Sequence, residues 1–342
     1  MRRASLVIAI LVALSAGGSA QTEGPYKIVK SAKVGGAGGF DYVYADVDGR
    51  RLYIPRGGTT PRVMVYNLDT LEPAGEIPET NARGVAVDPK SGRGFASSKP
   101  VAMWDTKSMK PLKTIDVQGN PDGILFDSYN ERVYVWSHSA PNGTVIDAKD
   151  GTVLGTIDLG GAPEQAASDG AGHIYVDLED KDKIAVVDAK TMTVTGRYDL
   201  AGKAGGCAGL AIDVKNHILF AGCRNPQVMA VLDARDGKII TTLPIGRGVD
   251  GTVFNPATME AFSSQGDGTL TVVKENNPTS FTVEQTVKTM VSAKTLTLDS
   301  KTNNILLIAA EYGPAPTPPP AGGRGGRGQM IADSFTILVV GK

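Results

Sequence analysis

Asn120-Pro-Asp-Gly-Ile-Leu-Phe-Asp-Ser-Tyr-Asn-Glu-Arg-Val-Tyr-Val-Trp-Ser137, continued through Thr144-Val-Ile-Asp147 to Leu159, holds one full unit of the pattern from which the chain is built. A short apolar run, Gly123 to Phe126, stops at Asp127, and Tyr134 stands seven positions later inside a second run, Arg132 to Ser137. Short apolar runs bounded by turn residues read as β-strands joined by tight turns. A loop with Pro141, Asn142 and Gly143 leads to a third strand, Thr144 to Asp147. Lys149-Asp150-Gly151 then turns the chain into a fourth, Thr152 to Leu159.

The unit recurs. An Asp-like residue ending one run, with an aromatic or large aliphatic residue seven positions on, appears as Asp46/Tyr53, Asp88/Phe95, Asp127/Tyr134, Ser168/Tyr175, Asp213/Phe220, Asn255/Phe262 and Asp299/Leu306. Seven copies spaced 39 to 45 residues apart match the period of four-stranded propeller blades. The expected fold is therefore all-β: a seven-bladed β-propeller of four-stranded antiparallel blades. Third strands follow at Arg62 to Asn67, Val101 to Asp105, Thr144 to Asp147, Ile184 to Asp188, Met229 to Asp233 and Thr269 to Val273. Tyr26 to Val34 reads as a lone strand, and the last copy ends with Phe335 to Val340 as its third. The N-terminal strand is thus expected to complete the last blade and remove the edge at the seam.

A length of 342 residues would ordinarily point to two or three domains, but a closed propeller is one body of this size. Residues 1–20 carry a basic start (Arg2, Arg3), an apolar centre (Leu6 to Leu14) and a small-residue end, the pattern of a cleaved secretory signal. About ten apolar residues fall short of a membrane span. The expectation is a single propeller domain over 21–342, monomeric, in the periplasm or outside the cell. Net charge is −1, or −3 without Arg2 and Arg3, which lacks the basic footprint of nucleic-acid binding. Residues 311–329, rich in Pro and then Gly with Arg324 and Arg327, read as a solvated insertion in the last blade. The two arginines among glycines are a weak nucleic-acid signal.

Cys207 and Cys223 are the only thiols. Pairing Ile212 with Ile218 would set the two cysteines opposite each other, so a disulfide is expected in an exported protein. Its 15-residue loop corresponds to roughly 3 kcal/mol.

Five residues before each marker, where an inner strand starts near the channel, stand Asp41, Arg83, Asp122, Pro163 with Glu164 beside it, Ala208, Asp250 and Lys294. Asp41, Arg83, Asp122, Glu164, Asp250 and Lys294 are therefore the candidate ligand-binding residues. Converging loops at a channel mouth suit a polar small molecule or a hard cation such as Ca²⁺. The plain alternative is polar capping of strand starts in a wet channel. His138, His173 and His217 lack the close spacing of a zinc site and read as surface residues. Trp104 and Trp136 sit in strand patterns, where packing accounts for them, and the repeated marker Asp residues read as turn formers. The chain has no nucleophile elbow, haem-attachment or phosphate-loop motif.

Arg51-Leu-Tyr-Ile54, Arg132-Val-Tyr-Val135 and His173-Ile-Tyr-Val176, with runs such as Gly84-Val-Ala-Val-Asp-Pro89, resemble the repeats of the YVTN-repeat, YncE-like family of exported bacterial seven-bladed propellers. The resemblance spans nearly all of the chain beyond residue 20. It implies a scaffold without a general catalytic motif. Single-stranded DNA binding is associated with one member, and related propellers include lactonase-like and quinoprotein-like enzymes. Two readings follow: a non-enzymatic propeller that binds a small molecule or protein partner through its loop face and channel mouth, or a metal-assisted hydrolase or oxidoreductase using Asp41, Asp122, Glu164 and Asp250.

Overall fold

The computed structural model describes residues 24–140, 142–200, 202–315 and 328–342. Residues 1–20, expected to be a signal, lie outside these, as do 316–327 of the Pro/Gly/Arg-rich segment. Seven four-stranded antiparallel sheets, each in simple up-and-down order, account for the strands among the described residues. They span 44–78, 85–115, 121–158, 163–199, 207–244, 249–288, and 296–341 together with 27–33, and are blades 1 to 7 below. Each blade's inner strand touches the inner strand of the next, and that of blade 7 touches that of blade 1, so the ring closes. The described residues contain no helix long and apolar enough to cross a membrane.

Each strand's burial follows from its distance to the ring axis. Second strands are sandwiched between neighbouring blades, and Arg51–Arg56 and Arg132–Ser137 are buried throughout except at their first residue. Outer strands such as Pro73–Pro78 bury one residue, here Ile77. The marker Asp residues act as turn formers: the Asp46, Asp88 and Asp213 carboxylates accept from the backbone N–H of Gly49 (2.9 Å), Lys90 (2.9 Å) and Lys215 (3.0 Å). Trp104 and Trp136 are fully buried packing residues, each laid across the glycine paired with it, Gly94 and Gly143. A Cβ at those glycines would come within 2.3 and 2.4 Å of the indoles, so a small residue must stand opposite each.

The N-terminal strand is Lys27–Lys33, and it pairs with Thr336–Gly341 as the outer strand of blade 7. It is almost wholly exposed, so its ladder supplies little apolar burial. Tyr26, immediately before it, is the anchor. Its ring packs edge-on against Phe262 of blade 6 with centroids 5.2 Å apart, and its hydroxyl hydrogen-bonds the buried Glu260 carboxylate. The Gln285 amide accepts from Tyr26 N (2.8 Å) and donates to Tyr26 O (2.7 Å).

Cys207 and Cys223 are joined by a disulfide. The expected register differs by one residue from the observed one, because Ile212 pairs with Leu219 and Asp213 with Ile218. A bulge between Cys207 and Gly209 absorbs the difference and returns the cysteines to opposition.

Candidate functional site

In an antiparallel hairpin the start of one strand lies beside the end of the next, so inner-strand starts and second-strand ends share one mouth of the channel. Asp41, Arg83, Asp122, Glu164, Asp250 and Lys294, all picked out by their place before the marker residues, come together there around a cavity of about 320 Å³. His138, Glu179 and Arg224 complete its lining. Every blade or its leading loop supplies at least one charged or titratable side chain. Below the mouth Gln165 crosses between blades, its amide oxygen accepting from Leu210 N (2.9 Å) and Thr252 N (3.0 Å). Glu164 and Gln165 occupy the bulge between Pro163 and Ala166, which turns consecutive side chains out of the ladder.

His138 is the correction to the sequence reading. It does not lie on the outer surface; it sits in the mouth with Glu179 (3.2 Å) and Glu164 (3.6 Å) on its Nε2. His173 and His217 line a different groove near the blade 4 and blade 5 turns, where His173 Nδ1 meets Asp169 at 2.8 Å. A signal for the missed residues exists in the sequence. His138, Glu179 and Arg224 each stand four positions after the second-strand aromatic of their copies, Tyr134, Tyr175 and Phe220. They form a second tier at the level of the first.

The charges alternate around the mouth. Arg83 pairs with Asp41 at 2.8 Å and approaches Asp122 at 3.8 Å. Lys294 Nζ lies 2.9 Å from Asp41 and also contacts Asp250. Arg224 joins Asp250 to Glu179, and His138 joins Glu179 to Glu164. The Tyr42 hydroxyl donates to Glu164 at 3.1 Å. Among the described residues this chain of ion pairs runs from Asp122 round to Glu164, and no Lys or Arg pairs with Glu164 or stands between these two ends.

The proton affinities record this asymmetry. Burial opposes the Lys294 charge, but Asp250 and Asp41 outweigh it and hold the ammonium up at about 12. Burial likewise opposes the Glu179 charge, yet Arg224 and His138 keep its carboxyl below the usual range. Burial raises Asp122 to about 6 against the pull of Arg83, with Asp41 adding to the rise. Glu164 is pushed up by burial and by Asp122, Asp250 and Glu179. Carboxyls held near or above neutrality in a concave, charged site are a mark of functional positions.

No family model and no curated protein matches the sequence. Among solved structures 1677 chains match, a breadth that makes the likeness one of architecture. One is a chain of the "Crystal Structure of Mitotic Checkpoint Complex", superposing with a TM-score of 0.72 over 98% of both chains at 12% identity. At that identity the match shows a shared propeller fold.

Proposed function

We propose that this chain is an exported, YVTN-repeat-like propeller that acts as a binding protein, holding a small polar ligand with a cationic group in the charged channel mouth. The observation that carries the reading is the excess of carboxylates over Lys and Arg around the mouth, greatest on the side of Asp122 and Glu164. Five carboxylates (Asp41, Asp122, Glu164, Glu179 and Asp250) face only three Lys or Arg side chains (Arg83, Arg224 and Lys294), and no Lys or Arg pairs with Glu164, so a ligand cation placed there would offset the excess negative charge. A mouth built from every blade also needs no moving part, which limits the ordering cost of binding. Arg83, the most exposed cation of the mouth, fits an anionic group on the same ligand.

The test is a thermal-shift and calorimetric screen of the purified protein against diamines, amino acids and polyhydroxy amines. A hit whose affinity falls at least about tenfold in Asp122→Asn, with the melting temperature of the free protein preserved, supports the reading. Uniformly flat melts, or hits indifferent to Asp122→Asn, refute it. The hydrolase reading draws on one observation, the Asp122 carboxyl held at about 6, which suits a general base near neutrality. It requires turnover of a lactone or ester that Asp122→Asn abolishes.

A further inference from the structure

His138, Glu164 and Glu179 occupy one side of the mouth, with one ligand-capable atom from each within 4.8 Å of the others. Metal–ligand bonds of about 2.0–2.2 Å set donor atoms roughly 3.0 Å apart at right angles and 3.4 Å apart at tetrahedral angles. The His138 nitrogen lies 3.2 Å from a Glu179 oxygen and 3.6 Å from a Glu164 oxygen, close to that spacing before any ion draws them in.

The remaining carboxylate oxygens are also accounted for. Glu179 turns its second oxygen to the Arg224 guanidinium, and Glu164 takes the Tyr42 hydroxyl on its second oxygen at 3.1 Å. Each carboxylate therefore has one oxygen fixed by a neighbour and the other turned toward His138, the way outer groups orient metal ligands.

A second observation points the same way. Asp177 is fully buried, and neither carboxylate oxygen has a hydrogen-bond partner. It lies in the strand His173–Leu178 that leads into Glu179, within electrostatic reach of Glu164, Arg224 and Glu179. A buried polar side chain with both oxygens unpaired thus stands next to the cluster.

We infer that His138, Glu164 and Glu179 form a binding site for a divalent metal ion of the zinc class, with its open coordination position toward the cavity. This deepens the ligand-binding reading of the mouth and rests on it. One imidazole with two carboxylates favours zinc, cobalt or manganese over calcium, which takes six to eight oxygens. The open position would then receive a donor atom of the ligand or water.

Protein dialysed against a chelator and titrated calorimetrically with zinc chloride alone provides the test. One equivalent should bind, with affinity reduced about 100-fold or more in His138→Ala and in Glu179→Gln, and about 10-fold in Tyr42→Phe. His173→Ala should bind as the parent does. Cobalt(II) should give visible absorption in the parent that His138→Ala loses. Should His138→Ala fail to fold, Glu179→Gln and Tyr42→Phe carry the comparison. Absence of binding, full binding by His138→Ala, or calcium binding as tightly as zinc overturns the assignment. Failure here alongside a Asp122-dependent amine response removes the metal and leaves the ligand reading standing. Zinc uptake as described, without any amine response, supports the metal and removes the cationic ligand.

Discussion

Replacing Tyr26 tests how the ring is held shut. The N-terminal strand Lys27–Lys33 buries almost nothing, so its attachment to blade 7 depends on ladder hydrogen bonds plus the Tyr26 anchor against blade 6. Tyr26 is 3% exposed, and truncating a buried aromatic ring costs about 3–5 kcal/mol. Removing its hydroxyl alone is milder. In Tyr26→Phe the buried Glu260 carboxylate keeps the Lys342 ammonium at 2.9 Å, so the loss should be that of one hydrogen bond to a charged group, about 1.5–3 kcal/mol. A chain of roughly 300 ordered residues unfolds with an entropy near 0.65 kcal/mol/K, so Tyr26→Ala should lower the melting temperature by about 5–8 °C and Tyr26→Phe by about 2–5 °C. The assay is calorimetry, with hydrogen exchange reporting whether the amides of 27–33 open before the rest. If Tyr26→Ala melts within a degree of the parent and exchanges no faster along that strand, the anchor account is wrong.

Further outcomes follow from the same geometry. Glu275 is buried and pushed up to about 7 by burial, partly offset by the Asn216 amide at 2.7 Å, so between its unfolded value and about 7 the unfolded chain sheds a proton that the fold retains. Its contribution is thus fully present below the unfolded value and lost as pH rises toward 7. Glu275→Gln should raise stability by about 1–2 kcal/mol at pH 8 and by little at pH 4.5, read from urea melts at both pH values. Arg224→Met leaves Glu179 and Asp250 without their shared cation and should cost about 2–3 kcal/mol at this partly exposed site, with non-additive coupling to Asp250→Asn in a double-mutant cycle. Cys207→Ser with Cys223→Ser should cost about 3 kcal/mol, and mass spectrometry without reductant should show the parent two hydrogen atoms lighter than the reduced chain.

Much of this was legible because blade formation is local. Each hairpin is specified by residues within about ten positions of one another, and the Asp-to-aromatic spacing survives in the sequence as a countable period. The place of Asp41, Arg83, Asp122, Asp250 and Lys294 followed from that period alone, since position within the repeat fixes height along the channel. Glu164 stands one position from the expected place because the turn of its copy, Asp169 to His173, is one residue shorter than Asp127 to Arg132, which puts it five residues before Asp169. His138, Glu179 and Arg224 were legible in principle as a second tier. No close sequence spacing marks them, because their partners come from other blades.

The sequence by itself thus determined the number of blades, the shared seam and the level at which charge gathers, all of which depend on periodicity along the chain. Only the tertiary structure decided which charges meet. Distances such as that from His138 to Glu164, or from Arg224 to Asp250, are set by the radius of the closed ring and by bulges in the inner strands. The charge network of the mouth exists because ring closure brings side chains far apart in sequence, such as Asp41 and Lys294, within reach of one another, and no local pattern encodes that approach.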